Sequence, residues 1–323
     1  MRRTPNPCAA LLIVLALVLP APAGEENGLE RMLGAGRADE LIEAANRRAA
    51  RGEAEAFYSL CRTYLALENW HRAAAACERA VAIAPDNSIF HMWVGRAYGE
   101  LASHSNFLSA MGLARKARDQ FLHAIQLNPD NVAARSDLAE FQIDAPGILG
   151  GGTAKARAGA ERLLASDPPL AHFLKSRIAE KEKNYAAAEL ELQQAIATSS
   201  DPAREWTNLA SFYERRGRLP QMLEAIEQAL AIPSKRRSRL YESAEILFRS
   251  GQSLRRATEL LREYLAGTTE AEAPAFRAHY LLGNILEKQK RIEDAIREYA
   301  AALEHAREYD KARQRLAALK RAP

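Results

Sequence analysis

The sequence predicts an all-α chain built from repeated antiparallel helix hairpins, and three observations carry that prediction. Apolar residues recur at helical spacing, most plainly Phe57, Leu60, Cys61 and Tyr64 at i, i+3, i+4 and i+7. The arrangement returns roughly every 34 residues, the signature of a stacked array. No run alternates apolar and polar side chains as a half-buried strand does.

The stretch Ala56 to Asn87 sets the pattern. Its first stripe ends at Leu67-Glu68-Asn69, and a second runs through Trp70, Ala73, Cys77, Ala80, Val81 and Ile83. Pro85-Asp86-Asn87 then stops the helix, since proline disfavours helix in the residue before it and Asp-Asn suits a turn. Cys61, Ala73 and Ala80 are small where two helices would touch. One hairpin cannot bury both faces and must stack on another. The chain has 323 residues, 48% hydrophobic and 27% charged, and this composition is that of an ordinary soluble protein. Its net charge of +4 gives no electrostatic footprint for nucleic acid.

Met1 to Ala23 reads as a secretory signal, with Arg2 and Arg3 at the positive end, Ala9 to Leu19 as the apolar centre and Ala21-Pro22-Ala23 as the cleavage site. Its apolar centre spans only about 16 Å against a membrane core of roughly 30 Å. Cys8 precedes the apolar centre, where a bacterial lipoprotein cysteine would follow it. The expected address is the bacterial periplasm, or secretion, with cleavage near Ala23 and no membrane span afterwards. Two cysteines then remain, Cys61 and Cys77, one on each helix of the opening hairpin. Two readings are open. An oxidising compartment permits a disulfide. Helix axes about 8–10 Å apart, against about 5.5 Å between bridged Cα atoms, favour two small apolar residues in close contact.

Residues 24–53 carry helical spacing at Leu29, Met32, Leu33 and again at Leu41, Ile42, Ala45, so they read as capping helices over the first repeat. Seven units follow, over 54–87, 88–131, 132–168, 169–202, 203–235, 236–269 and 272–306. The second is ten residues longer than the first, through LASHSNFLSAMG at 101–112, which fits either longer helices or a bulging loop. The third contains a glycine-rich connection at 144–152. In the fifth, Pro220 belongs near the start of a helix, where a missing N–H costs least. Residues 307–323 form a last capping helix with Ala312, Leu316 and Leu319 on one side.

The recurring residues are Phe57, Leu60, Tyr64, Ala73, Ala80 and Pro85, then Trp206, Leu209, Ala210, Tyr213, Gly217 and Ala229, then Leu282, Gly283, Ala295, Tyr299 and Ala302. This pattern resembles the tetratricopeptide repeat over residues 54 to about 306, and the long inserts are similar to those of exported bacterial members. Met222 and Arg256 stand near places where such repeats usually carry alanine. The resemblance implies a right-handed superhelical solenoid whose inner groove, lined by first helices, binds a peptide or protein segment. Residues one step round from the core stripe are then the groove candidates: Tyr58, Arg62, Met92, Arg96, Phe173, Arg177, Tyr241, Tyr280 and Asn284. Aromatic or Met side chains would anchor apolar groups, and guanidinium forks would take carboxylates. Some members clamp a C-terminal carboxylate with paired Lys and Asn; here only Asn284 matches, so that ligand is not expected.

Gly147 and Gly152 have the spacing of a phosphate loop, but Thr153 stands where its lysine belongs and no strand precedes it. Pro146, Gly147, Gly150, Gly151, Gly152 and Lys155 remain a candidate functional loop, because long connections are often recruited for binding. The seven histidines are dispersed, and neither zinc-site spacing nor a Gly-x-Ser-x-Gly elbow occurs. The expected function is a non-catalytic protein-interaction scaffold in the bacterial envelope, with no cofactor and no metal. The alternative is a small-ligand or polysaccharide-binding module using the 144–155 loop.

Overall fold

The structure, a computed structural model, describes residues 28–321; the signal-like stretch Met1–Ala23 lies outside them. Helices follow one another throughout. The first four are α1 (Gly28–Gly34), α2 (Ala38–Ala49), α3 (Ala54–Ala66) and α4 (Trp70–Ile83). Then come α5 (Ser88–Ser103), α6 (Phe107–Leu127), α7 (Val132–Asp144), α8 (Thr153–Leu163), α9 (Pro168–Lys181) and α10 (Tyr185–Thr198). The last seven are α11 (Ala203–Arg215), α12 (Leu219–Ala231), α13 (Ser238–Ser250), α14 (Leu254–Leu265), α15 (Ala275–Lys288), α16 (Ile292–Glu304) and α17 (Asp310–Arg321). Among the described residues there is no strand, only an isolated bridge between Glu270 and Ala273. The chain is all-α, and consecutive helices pack as hairpins in a tetratricopeptide-like solenoid.

Two compact units divide the described chain. Unit 1 holds residues 46–65 and 69–199; unit 2 holds 28–45, 66–68 and 200–321. In unit 1 the first helices α5, α7 and α9 lie against one another, each with its own second helix beside it. Alanines make these contacts close: Ala73, Ala80, Ala117, Ala124, Ala188 and Ala195 are all at most 1% exposed. The helix starts are local in origin. Asn69, Asn87, Asn106, Asn131, Asp167 and Asn184 each precede a helix and accept a hydrogen bond from a backbone N–H of its first turn. The ten-residue expansion proves to be helix. α5 has 16 residues and α6 has 21, against 13 and 14 in α3 and α4. Cys61 and Cys77 are joined as a disulfide with their Cα atoms 5.0 Å apart, closer than the axis spacing suggested, because each Cα stands about 2.3 Å off its own helix axis and facing Cα atoms meet well inside that spacing.

Unit 2 repeats the hairpin scheme in α11–α12, α13–α14 and α15–α16, with α17 packed on α16. Pro220 lies in the first turn of α12. Met222 is fully buried in an alanine's place, while the small residue of α14 is Ala257; Arg256 faces solvent and pairs with Glu227 at 3.4 Å. Unit 2 also contains α1 and the start of α2, which the sequence assigned to a cap over the first repeat. Gly34 accepts a hydrogen bond at its carbonyl from Thr269 Oγ1 at 2.7 Å, and a Cβ on Gly34 would meet the Thr269 carbonyl oxygen at 2.8 Å. The Asp39 N–H donates to the His305 carbonyl at 2.9 Å, and Arg307 Nε donates to the Asp39 carboxylate, also at 2.9 Å. An apolar face of Leu29, Leu33 and Leu41 needs burial but does not itself say against what; the glycine's close fit does.

Candidate functional site

In unit 1 the groove candidates cluster round Trp93. The Tyr58 ring lies 5.3 Å from Phe90 and 6.0 Å from Trp93 between centroids. The Arg62 guanidinium is 5.1 Å from the Trp93 ring and that of Arg96 is 4.7 Å from it, so two cations share one indole. Met92, Arg62 and Arg96 are buried, and Tyr58 is half-buried. Arg96 is already engaged: its Nε and Nη2 donate to the Asp137 carboxylate at 2.6 and 3.2 Å, with both side chains buried. A buried fork of this kind fixes α5 against α7 and leaves no donor face for a foreign carboxylate.

Three carboxylates stand along α7 at Asp137, Glu140 and Asp144, positions the sequence reading passed over. Asp144 lies 3.6 Å from Arg177 and 3.7 Å from Lys181 on α9. Glu140, only 5% exposed, lies between the two paired acids. Burial pushes its carboxyl up to about 7; Arg177 and Arg96 oppose the rise, and Asp137 and Asp144 add to it. Phe173 is half-buried against the apolar core of α7, α8 and α9, and Arg177 is also half-buried. Spacing at i, i+3 and i+7 was the available signal for these acids; that Arg96, 41 positions from Asp137, and Arg177 on α9 face them was not.

In unit 2 the remaining candidates are packed rather than open. Tyr241 is buried with its ring 6.3 Å from Tyr264, and burial holds both phenols above their ordinary value. Tyr280 is half-buried between Tyr299 and Tyr309, at 5.7 and 5.3 Å. Asn284 accepts a hydrogen bond from the Tyr299 hydroxyl at 2.7 Å.

The glycine-rich loop is braced from within. A short 3-10 turn at Gly147–Leu149 follows Pro146, and Lys155 Nζ donates to the Gly150 carbonyl at 3.3 Å. Arg118 on α6 donates to the Leu149 carbonyl at 3.0 Å, and the Gly152 N–H donates to Gln142 at 2.7 Å. A Cβ on Gly151 would fall 1.8 Å from the Ala145 carbonyl oxygen, so that position needs glycine to let the chain double back. Among the described residues no three His, Cys, Asp or Glu side chains gather where a metal could be held. No described helix is long and apolar enough to cross a membrane.

Family models described as tetratricopeptide repeat match residues 58–102 and 150–204, 205–240, and 276–309. No curated protein matches the chain. Among solved structures, a tetratricopeptide repeat protein from Parabacteroides merdae is 16% identical with a TM-score of 0.43, over 83% of this chain and 98% of its own. PilW, a widely conserved type IV pilus biogenesis factor, is 18% identical with a TM-score of 0.41, over 66% of this chain and 93% of its own. A thermophilic repeat protein of Thermus thermophilus is 21% identical with a TM-score of 0.42, over 69% and 99%. With the matched segments covering more than half of its residues, the chain belongs to the tetratricopeptide repeat family.

Proposed function

We propose that the chain is a protein-interaction scaffold that binds a peptide or protein segment along the first helices of unit 1. Membership of the repeat family supports a scaffold, as such repeats typically serve that role without catalysis. The observation that carries the finer reading is the contrast between a locked floor and an open rim. Arg96 and Asp137 are buried and paired, so the floor is preorganised. Tyr58, Phe173 and Arg177 keep part of their surface open beside it. A rigid floor with aromatic and guanidinium groups at its edge loses little entropy when a segment settles there.

The test uses a displayed library of random peptides panned on the whole protein. Peptides that bind should lose about tenfold in affinity for a Tyr58→Ala/Arg177→Ala variant, the loss of roughly 1.4 kcal/mol of contact. Tyr58 packs on Phe90 and Trp93 and Arg177 pairs with Asp144, so binding is compared at a temperature well below the melting point of the variant, where both proteins are folded. Arg96 is left alone, because removing it strands Asp137 as a buried unpaired charge and unfolding would mask any loss of binding. Selected peptides that bind parent and variant equally reject this face. We place the scaffold in the bacterial envelope on the strength of the signal-like Met1–Ala23. N-terminal sequencing of the protein from a periplasmic fraction should begin at Gly24, and a chain that keeps Met1 in the cytosol refutes the assignment.

A further inference from the structure

The two inserts of unit 1 converge on α6. Phe107 and Leu108 open that helix, 49% and 80% exposed, and Ile148 in the 3-10 turn is 76% exposed. Phe107, Met111 and Arg118 fall at i, i+4 and i+11 and so share one stripe of the helix. It is Arg118 that holds the Leu149 carbonyl, at 3.0 Å, so the turn presenting Ile148 is seated on the stripe that begins at Phe107. Eleven residues of helix, about 16 Å, lie between Phe107 and Arg118.

The ground around these tips is cationic. Residues 107–120 and 146–155 contain Arg115, Lys116, Arg118 and Lys155 and a single carboxylate, Asp119, which pairs with Arg118 at 2.6 Å. Arg115, Lys116 and Lys155 are exposed. Large apolar side chains exposed to this degree project outward instead of lining a cavity. Projecting apolar tips set among cations match the boundary of an anionic bilayer, whose acyl region takes the tips while its headgroups take the charges.

We propose that the α6 tip and the 3-10 turn together form a peripheral docking surface for an anionic lipid membrane. The surface uses other residues than the peptide-binding face proposed above, and neither proposal rests on the other. Sedimentation of the whole protein with vesicles tests it, comparing phosphatidylethanolamine–phosphatidylglycerol vesicles with phosphatidylcholine vesicles. The parent should sediment with the anionic vesicles alone, and added salt should release it. Leu108→Asp/Ile148→Asp, and separately Arg115→Glu/Lys116→Glu, should each weaken that binding by about tenfold or more. Should the aspartates aggregate, Leu108→Ser/Ile148→Ser keeps the test sound. Parent protein left in the supernatant, equal binding to both vesicle types, or undiminished binding by the variants overturns the proposal. So does a crosslinker placed at Leu108 that captures a protein partner while the vesicles go unbound.

Discussion

The two units build the same hairpins but begin their helices by different means. In unit 1 the starts of α4, α5, α6, α7, α9 and α10 are written into the residue just before each helix, an asparagine or aspartate whose side chain takes up a first-turn N–H. In unit 2 none of the residues preceding α11 to α16 does this. There the start of α13 is capped from a distance. Glu270 accepts from the N–H groups of Arg237 and Ser238 at 2.6 and 2.9 Å, and its own N–H donates to the Tyr264 hydroxyl at 2.8 Å. Unit 1 marks these helix starts, though not that of α8 at Gly152, with a local side-chain cap, whereas in unit 2 the start of α13 is capped from a distant segment.

The largest effect expected from breaking this contrast lies in the disulfide of unit 1, which closes a loop between residues 16 apart. Cys61→Ser/Cys77→Ser should lower stability by about 3 kcal/mol, read from urea unfolding under non-reducing conditions. Because Trp206 lies in unit 2, a Trp206→Phe background leaves Trp70 and Trp93 as reporters of unit 1 alone. An unchanged midpoint would mean that the hairpin gains nothing from the bridge.

Next comes pH. A carboxyl whose folded value is raised stabilises the fold while protonated, so the contribution of Glu140 is present near pH 4 and is lost as pH climbs to about 7. The loss across that window is about 2 to 3 kcal/mol. Glu140→Gln should therefore match the parent near pH 4 and exceed it in stability at pH 8, in unit 1 only. Parallel pH profiles for parent and variant would show that Glu140 titrates at its ordinary value.

The smallest effects sharpen the comparison directly. Glu270→Ala removes two capping bonds at once and should cost about 2 kcal/mol. Faster amide exchange should then appear both in the first turn of α13 and around residue 270. Asn87→Ala should cost about 1 kcal/mol, with faster exchange confined to the first turn of α5. If both changes prove equally local, the distinction between the units fails.

What could be read from the sequence follows the same division. The spacing of Phe57, Leu60, Cys61 and Tyr64 located α3, and Asn87 and Asn131 stood at the breaks where helices start. Those signals are local, because a helix tests its own neighbours first. The expansion near His104 stayed ambiguous until α5 and α6 appeared as lengthened helices. At the candidate site, residue types were legible but their state was not. Arg96 has the spacing of a groove residue, and nothing near it in the sequence announces Asp137, 41 positions on. Helical spacing at Leu29, Leu33 and Leu41 was legible, but the fit of Gly34 and Gly36 against residues 269–276 depends on a close backbone contact that no periodicity encodes.

That fit has a consequence for biosynthesis. The ribosome delivers Gly34 early, while Thr269, which holds it, follows 235 residues later. Until residues 269–276 are translated, the Gly34 end of α1 lacks the surface it is fitted to, and apolar side chains of an unfinished chain that stay uncovered promote aggregation. A chain that stops short of Thr269 would lack this contact altogether, so the first helix described is held by one of the last segments to be made.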